Sequence, residues 1–360
     1  MHLTHLRVHD FRNLAAVEIA PSPRFNVLVG ANGQGKTNTL AALYWLATLR
    51  PLRARRLREV VRWGQPGVRV DGTVTHEGLE HALAVGLVDG ARVAWREGKR
   101  CRASAYFGAL ELVVFTPDDV ALVRGTPEAR RRFLDRAVFT GRPAHLAAVL
   151  SYRKALSGRN RLLREAADDA VLEAFELALA RAAAALIEAR RRYLSDLSPR
   201  FAAAWASISG EGPSAAVRYR ASLDPGEEGA AALAEAWATD RARDRERGFT
   251  QRGPHADDLV LRLGDRPART YASQGQQRAM VLALKIAEIE TLEAACGHAP
   301  VLLLDDVSSE LDPGRTERLF EFLEGFGGQV FITTTDRAFL RIKGEQKAWR
   351  VQAGALAEWE

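Results

Sequence analysis

A glycine-rich segment near the N-terminus limits the possible folds of this chain more than any other feature. Residues 30–37 read Gly-Ala-Asn-Gly-Gln-Gly-Lys-Thr, which fits the phosphate-loop pattern G-x4-G-K-[ST]. The loop directly follows the apolar run 26–29 and opens a segment, 37–49, whose apolar residues have helical spacing. This order of strand, loop and helix predicts an α/β core that binds a nucleotide.

The residue types in this loop suit the binding of phosphates. Its glycines let backbone N–H groups curl round a phosphate, Lys36 carries a positive charge to the β and γ oxygens, and the Thr37 hydroxyl can ligate Mg²⁺. We therefore predict that a nucleotide contacts the loop and the residue after it. The predicted contacts are Gly30, Ala31, Asn32, Gly33, Gln34, Gly35, Lys36, Thr37 and Asn38.

Loops of this type occur in kinases, GTPases and ATPases, so other sequence motifs are needed to identify the class of protein. Residues 301–304 are an apolar run, typical of a buried strand, and the run ends in two carboxylates. Asp305 is suited to hold Mg²⁺ and Asp306 to polarise a water, so we predict Asp306 and Lys36 as catalytic residues. Apolar strands ending in Asp are also common as purely structural elements.

Two short polar segments lie on either side of this strand in the sequence. Residues 273–277, Ser-Gln-Gly-Gln-Gln, precede a segment with helical character, and residues 309–312, Ser-Glu-Leu-Asp, follow the carboxylates. A Ser-x-Gly turn at a helix N-terminus can bind an anion, but the same residues can merely cap the helix. Taken alone, the residues leave both interpretations open.

The order of these motifs resembles that in the heads of ABC-type ATPases. The resemblance implies that ATP is the nucleotide and that the chain forms a homodimer, in which each subunit closes on the ATP held by the other. The residues that would contact ATP in trans are Ser273, Gln274, Gly275 and Gln276. The resemblance also implies D-loop positions at Ser309 and Asp312.

Further segments narrow the resemblance to the RecF family, within the SMC/Rad50-like class of ABC ATPases. They are Leu-Arg-Val-His-Asp-Phe-Arg-Asn at 6–13, Phe-Thr-Pro-Asp-Asp at 115–119, Leu-Val-Arg-Gly at 122–125, Arg-Arg-Phe-Leu-Asp at 131–135 and Gly-Pro-His-Ala-Asp-Asp-Leu at 253–259. By this resemblance, Arg12 and Asn13 contact the nucleotide beside the loop. Only 235 residues separate Thr37 from Ser273, which leaves no room for the long coiled coils of SMC and Rad50 proteins.

The fold class that follows is α/β: an ABC-type ATPase head plus an inserted α-helical lobe. The head combines a P-loop α/β core with an antiparallel β layer, which short alternating runs between residues 68 and 95 indicate. We assign residues 1–110 and 255–360 to this ATPase lobe and residues 111–254 to the helical lobe. Leu259 to Leu263 are predicted as a strand that returns the chain to the ATPase lobe.

The helical lobe is indicated by Ala, Leu and Arg at helical periods from residue 128 to about residue 205. Breaks are predicted near residues 141–143 and at Ser198-Pro199. The longest predicted helix covers about residues 171–197 and would span roughly 40 Å.

Positive charge is concentrated in two segments of a chain whose net charge is +6. Residues 50–69 hold seven Arg against one Glu, and residues 120–200 hold 16 Lys and Arg against nine Asp and Glu. Such clusters are typical of contacts with DNA phosphates, although solvated helix faces would also account for them. The candidate DNA contacts are Arg53, Arg55, Arg56, Arg130, Arg131 and Arg132. Aromatic residues are sparse among these arginines, which favours contact with a duplex backbone over stacking on single strands.

The RecF resemblance implies an ATP-dependent DNA-binding protein of recombinational repair and replication, acting on DNA damage and in the SOS response. An ATP-driven dimer would clamp duplex, gapped or junction DNA, act with RecR and RecO, and assist RecA loading on single strands. Asp306, where transporter ATPases carry Glu, and Thr335, in place of their switch His, imply weak, DNA-stimulated hydrolysis that serves as a switch.

Two alternatives of other classes stay open. One is the nucleotide-binding subunit of an ABC transporter, which Thr335 and the Arg-rich segments disfavour. The other is a DNA-binding scaffold that binds nucleotide without hydrolysing it. No window has the roughly 18 apolar residues of a membrane span, and residues 1–10 lack the apolar core of a signal peptide, so we expect a cytoplasmic protein without a membrane partner.

Overall fold

A computed structural model describes residues 1–54, 56–210, 212–306, 312–336 and 344–359. The chain divides into two compact units, Met1–Asp119 with Glu288–Glu360, and Val120–Ala287. Within the described residues, none of the helices combines the length and the apolar composition needed to cross a membrane.

The first unit contains an antiparallel sheet, as the alternating sequence runs predict. Its strands are β1 (His2–Phe11), β2 (Leu14–Ile19), β4 (Val68–His76), β5 (Leu79–Val88), β6 (Ala91–Arg96) and β7 (Lys99–Cys101). Their order across the sheet is β2-β1-β4-β5-β6-β7. One face is apolar and buried, with β1 contributing Leu3, Leu6, Val8 and Phe11, while the alternate residues face outward.

A second, mostly parallel sheet in the same unit carries the phosphate loop. Its strands are β3 (Phe25–Val29), β8 (Leu112–Phe115), β12 (Val301–Leu304), β13 (Val330–Thr334), β14 (Gln346–Gln352) and β15 (Ala355–Glu358). Their order is β15-β14-β3-β13-β12-β8, and only β15 pairs antiparallel. All residues of β3, β8, β12 and β13 are buried, which explains why their sequences are mostly apolar.

The helix after the phosphate loop, α1 (Lys36–Thr48), is central to the core of this unit. Every residue from Thr39 to Ala47 is buried, and the apolar ones share one core with residues of both sheets. A helix that is apolar all round, as this one is, is stable only when other elements surround it. Its position is therefore fixed by packing on all sides. The unit also contains α2 (Ala103–Tyr106), the 3-10 turn Leu57–Val60, all but the last residue of the 3-10 turn Pro117–Val120, and α10 (Pro313–Gly325).

The second unit is mainly helical and holds a small sheet of its own. Its helices are α3 (Ala121–Arg124), α4 (Pro127–Gly141), α5 (His145–Arg164), α6 (Asp169–Ser209), α7 (Ala230–Arg247), α8 (Ala268–Tyr271) and the first part of α9 (Gln274–Cys296). Its sheet is antiparallel, with order β11-β10-β9, from β9 (Ala215–Arg220), β10 (Asp258–Leu263) and β11 (Arg266–Pro267).

The sequence predicts that the strand at 258–263 returns the chain to the ATPase lobe, but this strand lies in the second unit. It pairs with β9 over six residues, from Asp258 opposite Arg220 to Leu263 opposite Ala215. This pairing places residues 255–287 with the helical unit rather than with the ATPase lobe. The sequence could not indicate it, because a partner strand about forty residues away leaves no local signal.

The break predicted at Ser198-Pro199 is wrong. Helix α6 runs through Pro199 for 41 residues, about 60 Å at 1.5 Å per residue. Proline removes one backbone N–H donor, so a single helical hydrogen bond, to the Ser195 carbonyl, is lost within a helix that continues on both sides. Beyond the proline, Phe201 and Trp205 are buried, and their packing stabilises the continued helix.

Candidate nucleotide-binding site

The phosphate loop joins the end of β3 to the start of α1 through two residues with left-handed backbone. Gly33 has φ +80° and Gly35 has φ +119°, values that favour glycine. A Cβ atom on Gly35 would also lie 3.0 Å from the Asn13 side-chain amide. The first turn of α1 carries no acidic residue, so its N–H groups and positive dipole end suit an anion.

Lys36 is buried, and its ammonium group lies against the loop. Nζ donates to the carbonyls of Gly30, at 2.5 Å, and Ala31, at 3.0 Å. Burial lowers the pKa of Lys36, and the nearby charges of Asp306 and Asp305 partly oppose this. The predicted cation thus lies within the loop, while Ala31 and Asn32 are exposed on its outer side.

Asp305 is 2% exposed and accepts hydrogen bonds from the first turn of α1 and from the end of β13. The Thr37 hydroxyl donates to Oδ1 at 2.7 Å, and the Thr333 hydroxyl donates to the same oxygen at 3.0 Å. These residues meet because β3, β13 and β12 are parallel neighbours, so their carboxyl ends lie at one edge of the sheet. A hydroxyl and a carboxylate in contact are the oxygen ligands that Mg²⁺ prefers.

Sequence reasoning missed Thr333, although it ends an apolar run as Asp305 does. Its hydroxyl also accepts a hydrogen bond of 2.8 Å from the backbone N–H of Asp306. Asp306 has left-handed backbone, with φ +52°. The contact and the backbone conformation together fix the direction in which the Asp306 side chain leaves the strand.

Arg53 lies at this site, although the sequence analysis considered it only as a DNA contact. Its Nη1 atom is 3.3 Å from Oδ2 of Asp305, and its Nε donates to Asp118, which follows β8. The Arg53 backbone is left-handed, with φ +55°. Its guanidinium thus balances the charge of Asp305, a contact between residues 252 positions apart that no local pattern indicates.

Arg12 and Asn13 lie beside the loop, where the RecF resemblance placed them. The Asn13 side-chain amide donates to the Gln34 backbone carbonyl at 3.1 Å, and the Asn38 side-chain amide donates to Oδ1 of Asn13 at 2.7 Å. Arg12 in turn donates to Asn38 at 3.0 Å, and burial lowers the pKa of Arg12. A continuous chain of polar contacts therefore runs from β1 to the phosphate loop.

The segment Ser273–Gln277, in the second unit, caps α9. The Ser273 hydroxyl accepts from the Gln276 backbone N–H at 3.2 Å, and the Gln276 side chain accepts from the Ser273 N–H at 2.9 Å. This reciprocal pair is a capping box. Ser273 and Gln274 are exposed, Gly275 is half-buried, and contact with ATP in trans stays a prediction for all four predicted residues.

The D-loop prediction is only partly covered by the described residues. Ser309 lies outside them. Asp312 is the N-cap of α10, where its side chain accepts from the Arg315 backbone N–H at 3.0 Å.

The structure contradicts the predicted DNA contact of Arg130. Its side chain is 7% exposed and forms two hydrogen bonds with Asp258, at 2.7 and 3.0 Å. Arg131 donates to the Asp257 carbonyl, and the exposed Arg132 pairs with Glu128 one helical turn away. Consecutive residues on a helix point in different directions, and in α4 the helical period turns Arg130 inward and Arg132 outward.

Arg55 and Arg56, also candidates for DNA contact, belong to the first unit. Arg55 lies outside the described residues, and Arg56 is exposed.

The other motifs of the second unit form a buried cluster of charges. Arg190 is 2% exposed and donates to both carboxylate oxygens of Asp135, at 2.9 and 3.0 Å. Asp257 is fully buried and accepts from the Ser222 backbone N–H and the Tyr219 hydroxyl. The segments 131–135 and 253–259 thus stabilise the helical unit.

Taken together, the parallel sheet with its phosphate loop, the carboxylates at the end of β12 and the antiparallel layer define an ATPase of the ABC head class. The family model described as RecF/RecN/SMC N terminal domain matches residues 2–354. The chain belongs to this family, and the resemblance to RecF is confirmed by the similarities that follow.

The similarity to RecF proteins extends over nearly the whole chain. DNA replication and repair protein RecF of Myxococcus xanthus is 50% identical over 351 residues, which cover 95% of this chain and 92% of that protein. A solved structure of the recombination mediator protein RecF with ATP, in the RecFOR pathway, is 30% identical with a TM-score of 0.90 and covers 100% of this chain and 98% of that one.

An SMC head bound to the C-winged helix domain of ScpA shares the fold. Its TM-score is 0.58 at 16% identity, with 100% of this chain and 97% of that chain covered.

Proposed function

We propose that this chain is an ATP-dependent DNA-binding protein of recombinational repair and replication, in which ATP acts as a switch. The observation that carries the proposal is the contact between Thr37, in the phosphate loop, and Asp305, at the end of a neighbouring strand. It brings a phosphate site and a carboxylate together at one sheet edge. The similar RecF proteins, one of them solved with ATP, support ATP as the nucleotide.

The residues at this edge fit Mg²⁺ as well as ATP. The Thr37 hydroxyl and the Asp305 carboxylate would hold the ion, and Lys36 with the N–H groups of the loop would hold the phosphates. When bound, Mg²⁺ neutralises the charge that develops on the phosphate oxygens. Arg12, Asn13 and Asn38 would contact the nucleotide from the side of β1.

Hydrolysis in this proposal is weak and DNA-stimulated, and it resets the switch. Asp306 would accept a proton from the attacking water, and its side chain has one methylene fewer than Glu. Since its backbone is held in the left-handed region by the strand end, the carboxylate can adjust little. A general base that cannot come close to the attacking water gives slow hydrolysis.

ATP would join two copies of the chain, and the dimer would clamp duplex, gapped or junction DNA. Ser273, Gln274, Gly275 and Gln276 are proposed to contact the ATP held by the second copy, with Ser309 and Asp312 at the D-loop. RecR, together with RecO, is the proposed protein partner, and the DNA-bound dimer would assist RecA loading. The RecFOR description of the similar solved structure supports RecR and RecO as partners.

Sedimentation velocity with ADP, with ATP, and with ATP plus duplex DNA tests the proposal. We expect a monomer with ADP, a dimer with ATP, and a larger complex once DNA is added. Lys36→Met should remain a monomer in all three, because loss of charge-assisted contacts, each worth about 1.5–3 kcal/mol, removes ATP binding.

Lys347→Met is the matched control, since the Lys347 ammonium lies at the surface, bonded to the Ala20 carbonyl. It should dimerise as the unmodified chain does. The proposed site would be contradicted if the unmodified chain stays monomeric at every ATP concentration. It would also be contradicted if the Lys36→Met variant binds ATP normally.

A further inference from the structure

Trp63 is an unusual residue of the first unit, because its side chain is almost wholly exposed. Its relative exposure is 98%, at the tip of a tight turn. The turn is closed by a hydrogen bond of 3.0 Å from the Gln65 N–H to the Arg62 carbonyl, with Gly64 at φ +80°. An indole offers a large, flat apolar face and a polar N–H, so a fully exposed one on a well-formed turn is a candidate contact residue when the groups around it suit the same ligand.

The turn is fastened to the end of β1. The Arg62 N–H donates to the Asp10 carbonyl at 2.7 Å, the Arg12 N–H donates to the Val60 carbonyl at 2.8 Å, and Phe11 forms a β-bridge with Val61. The indole is therefore presented by a fixed backbone, which lowers the entropy that binding would cost.

The side chains close to Trp63 in the sequence suit a negatively charged polymer that also carries flat, apolar groups. Arg50, Arg56 and Arg58 are exposed, and none of them forms an ion pair with another residue in the described ranges. A groove of about 350 Å³ follows the turn and is lined by residues that include Gln65, His9, Arg69 and Trp95. At its wall the Arg69 guanidinium, which also binds Asp71, lies 4.6 Å from the centroid of the Trp95 ring.

A protein partner fits this surface less well than a nucleic acid does. Protein interfaces have an apolar core in which several large side chains are buried together. Among the described residues of the first unit, Leu79 is the one large apolar side chain besides Trp63 that is strongly exposed. Single aromatic residues among arginines are instead typical of surfaces on which bases stack and phosphates bind.

We propose that Trp63 stacks on an unpaired base of DNA, while Arg50, Arg56 and Arg58 contact the adjoining phosphates. The proposal rests on the proposed DNA-binding function and adds where single-stranded DNA is recognised. It also differs from the sequence-based prediction, which favoured contact with a duplex backbone over stacking on single strands. Every base has a flat face, so the contact would discriminate unpaired from paired DNA rather than one sequence from another.

The test compares DNA binding by Trp63→Ala, Trp63→Phe and the unmodified chain, with ATP present. Two DNA probes are used: a blunt duplex, and the same duplex with a single-stranded thymine extension. Phe249→Ala is the matched control, since Phe249 is an exposed aromatic residue of the second unit. Sedimentation with ATP is measured for each variant, because Trp63 at a subunit interface would alter dimer formation.

We expect Trp63→Ala to weaken binding to the extended duplex by about 5- to 150-fold, the range for loss of one stacked base. Binding to the blunt duplex and ATP-dependent dimerisation should not change. Trp63→Phe should retain most of the affinity for the extended duplex, because a ring remains, and Phe249→Ala should retain all of it.

Three results would overturn the inference while the proposed function stands. They are unchanged affinity of Trp63→Ala for the extended duplex, equal losses on both probes, and loss of the ATP-dependent dimer. The last would make Trp63 a contact between subunits. If the unmodified chain binds neither probe in any nucleotide state, the proposed DNA-binding function fails as well.

Discussion

At the scale of single residues, Asp306 combines a proposed chemical role with a restricted backbone. Its φ of +52° lies in the left-handed region, where Asn and Asp are tolerated better than other residues with a Cβ atom. A substitution that removes the carboxylate must therefore also preserve this backbone, or a loss of activity would have two causes.

Asp306→Asn meets that requirement and separates ATP binding from hydrolysis. Asn keeps a side-chain oxygen and tolerates the left-handed backbone, but it cannot accept the proton of the attacking water. We expect phosphate release to fall by roughly 100-fold or more, the usual contribution of a general base, while ATP still produces a dimer. Phosphate release and sedimentation measure the two properties separately.

Asp306→Ala is a useful comparison, since it adds backbone strain to the loss of the carboxylate. It should be less stable than Asp306→Asn and no more active. Hydrolysis by Asp306→Asn at the rate of the unmodified chain would show that another group accepts the proton.

At the scale of elements, the turn before α9 has a structural role that must be kept apart from its proposed role in trans. Ser273 caps the helix, and losing such a cap costs about 0.5–2 kcal/mol. Both Ser273→Arg and Ser273→Ala lose it, but only Ser273→Arg adds a bulky side chain at an exposed position.

Ser273→Arg should therefore bind ATP but fail to dimerise, whereas Ser273→Ala should lose a little stability and still dimerise. Calorimetry with ATP and sedimentation measure the two properties. Normal dimerisation of Ser273→Arg would show that this turn does not close on the nucleotide of a second copy.

The pair Asp135 and Arg190 links helices α4 and α6 and makes the second unit sensitive to acid. Burial by itself would raise the pKa of Asp135, but hydrogen bonds from His145 and Arg190 outweigh it and lower the pKa to about 2. A carboxylate whose pKa is lower in the folded state stabilises the fold above its unfolded pKa, near 4. That contribution, about 2 kcal/mol, is lost as the pH falls from about 4 towards 2.

Asp135→Asn should thus be less stable at neutral pH and lack this part of the acid dependence. Urea unfolding of the second unit, followed from neutral pH down to about pH 2, measures it. Asp196→Asn, at an exposed carboxylate of α6, is the control and should follow the unmodified chain. The same acid dependence in Asp135→Asn would assign the effect to other carboxylates.

At the scale of the whole molecule, the net charge of +6 does not say which arginines face DNA. Arg58 is exposed, whereas Arg130 is buried against Asp258. We expect Arg58→Gln to reduce the slope of log K against log salt by roughly 0.9, since one phosphate contact releases about that many counterions. Arg130→Gln should leave the slope unchanged.

Arg130→Gln should instead lower the melting temperature, because it leaves the buried carboxylate of Asp258 with fewer partners. Removing one partner of a buried pair costs about 3–5 kcal/mol, although the contact of Arg220 with Asp258 will reduce this. Salt titrations of duplex binding and thermal unfolding of both variants distinguish the roles. A reduced slope for Arg130→Gln would place that residue on the DNA surface after all.

The sequence by itself determined the parts of this protein whose signals are local. The phosphate loop, its strand and its helix lie within about 25 consecutive residues, and apolar runs such as 301–304 record burial on both faces of a strand. The positions of Lys36, Thr37 and Asp305 and the antiparallel layer could therefore be predicted.

The tertiary structure alone decided which distant residues meet. The approach of Arg53 to Asp305, the contact of Thr333 with Asp306 and the burial of Arg130 depend on strand order and helix packing. So does the pairing of β10 with β9, which assigns residues 255–287 to the helical unit. Local patterns report whether a side chain is buried, but they cannot specify its partner, because one apolar or charged face fits many others. The partner of each buried side chain is therefore determined only when the whole chain has packed.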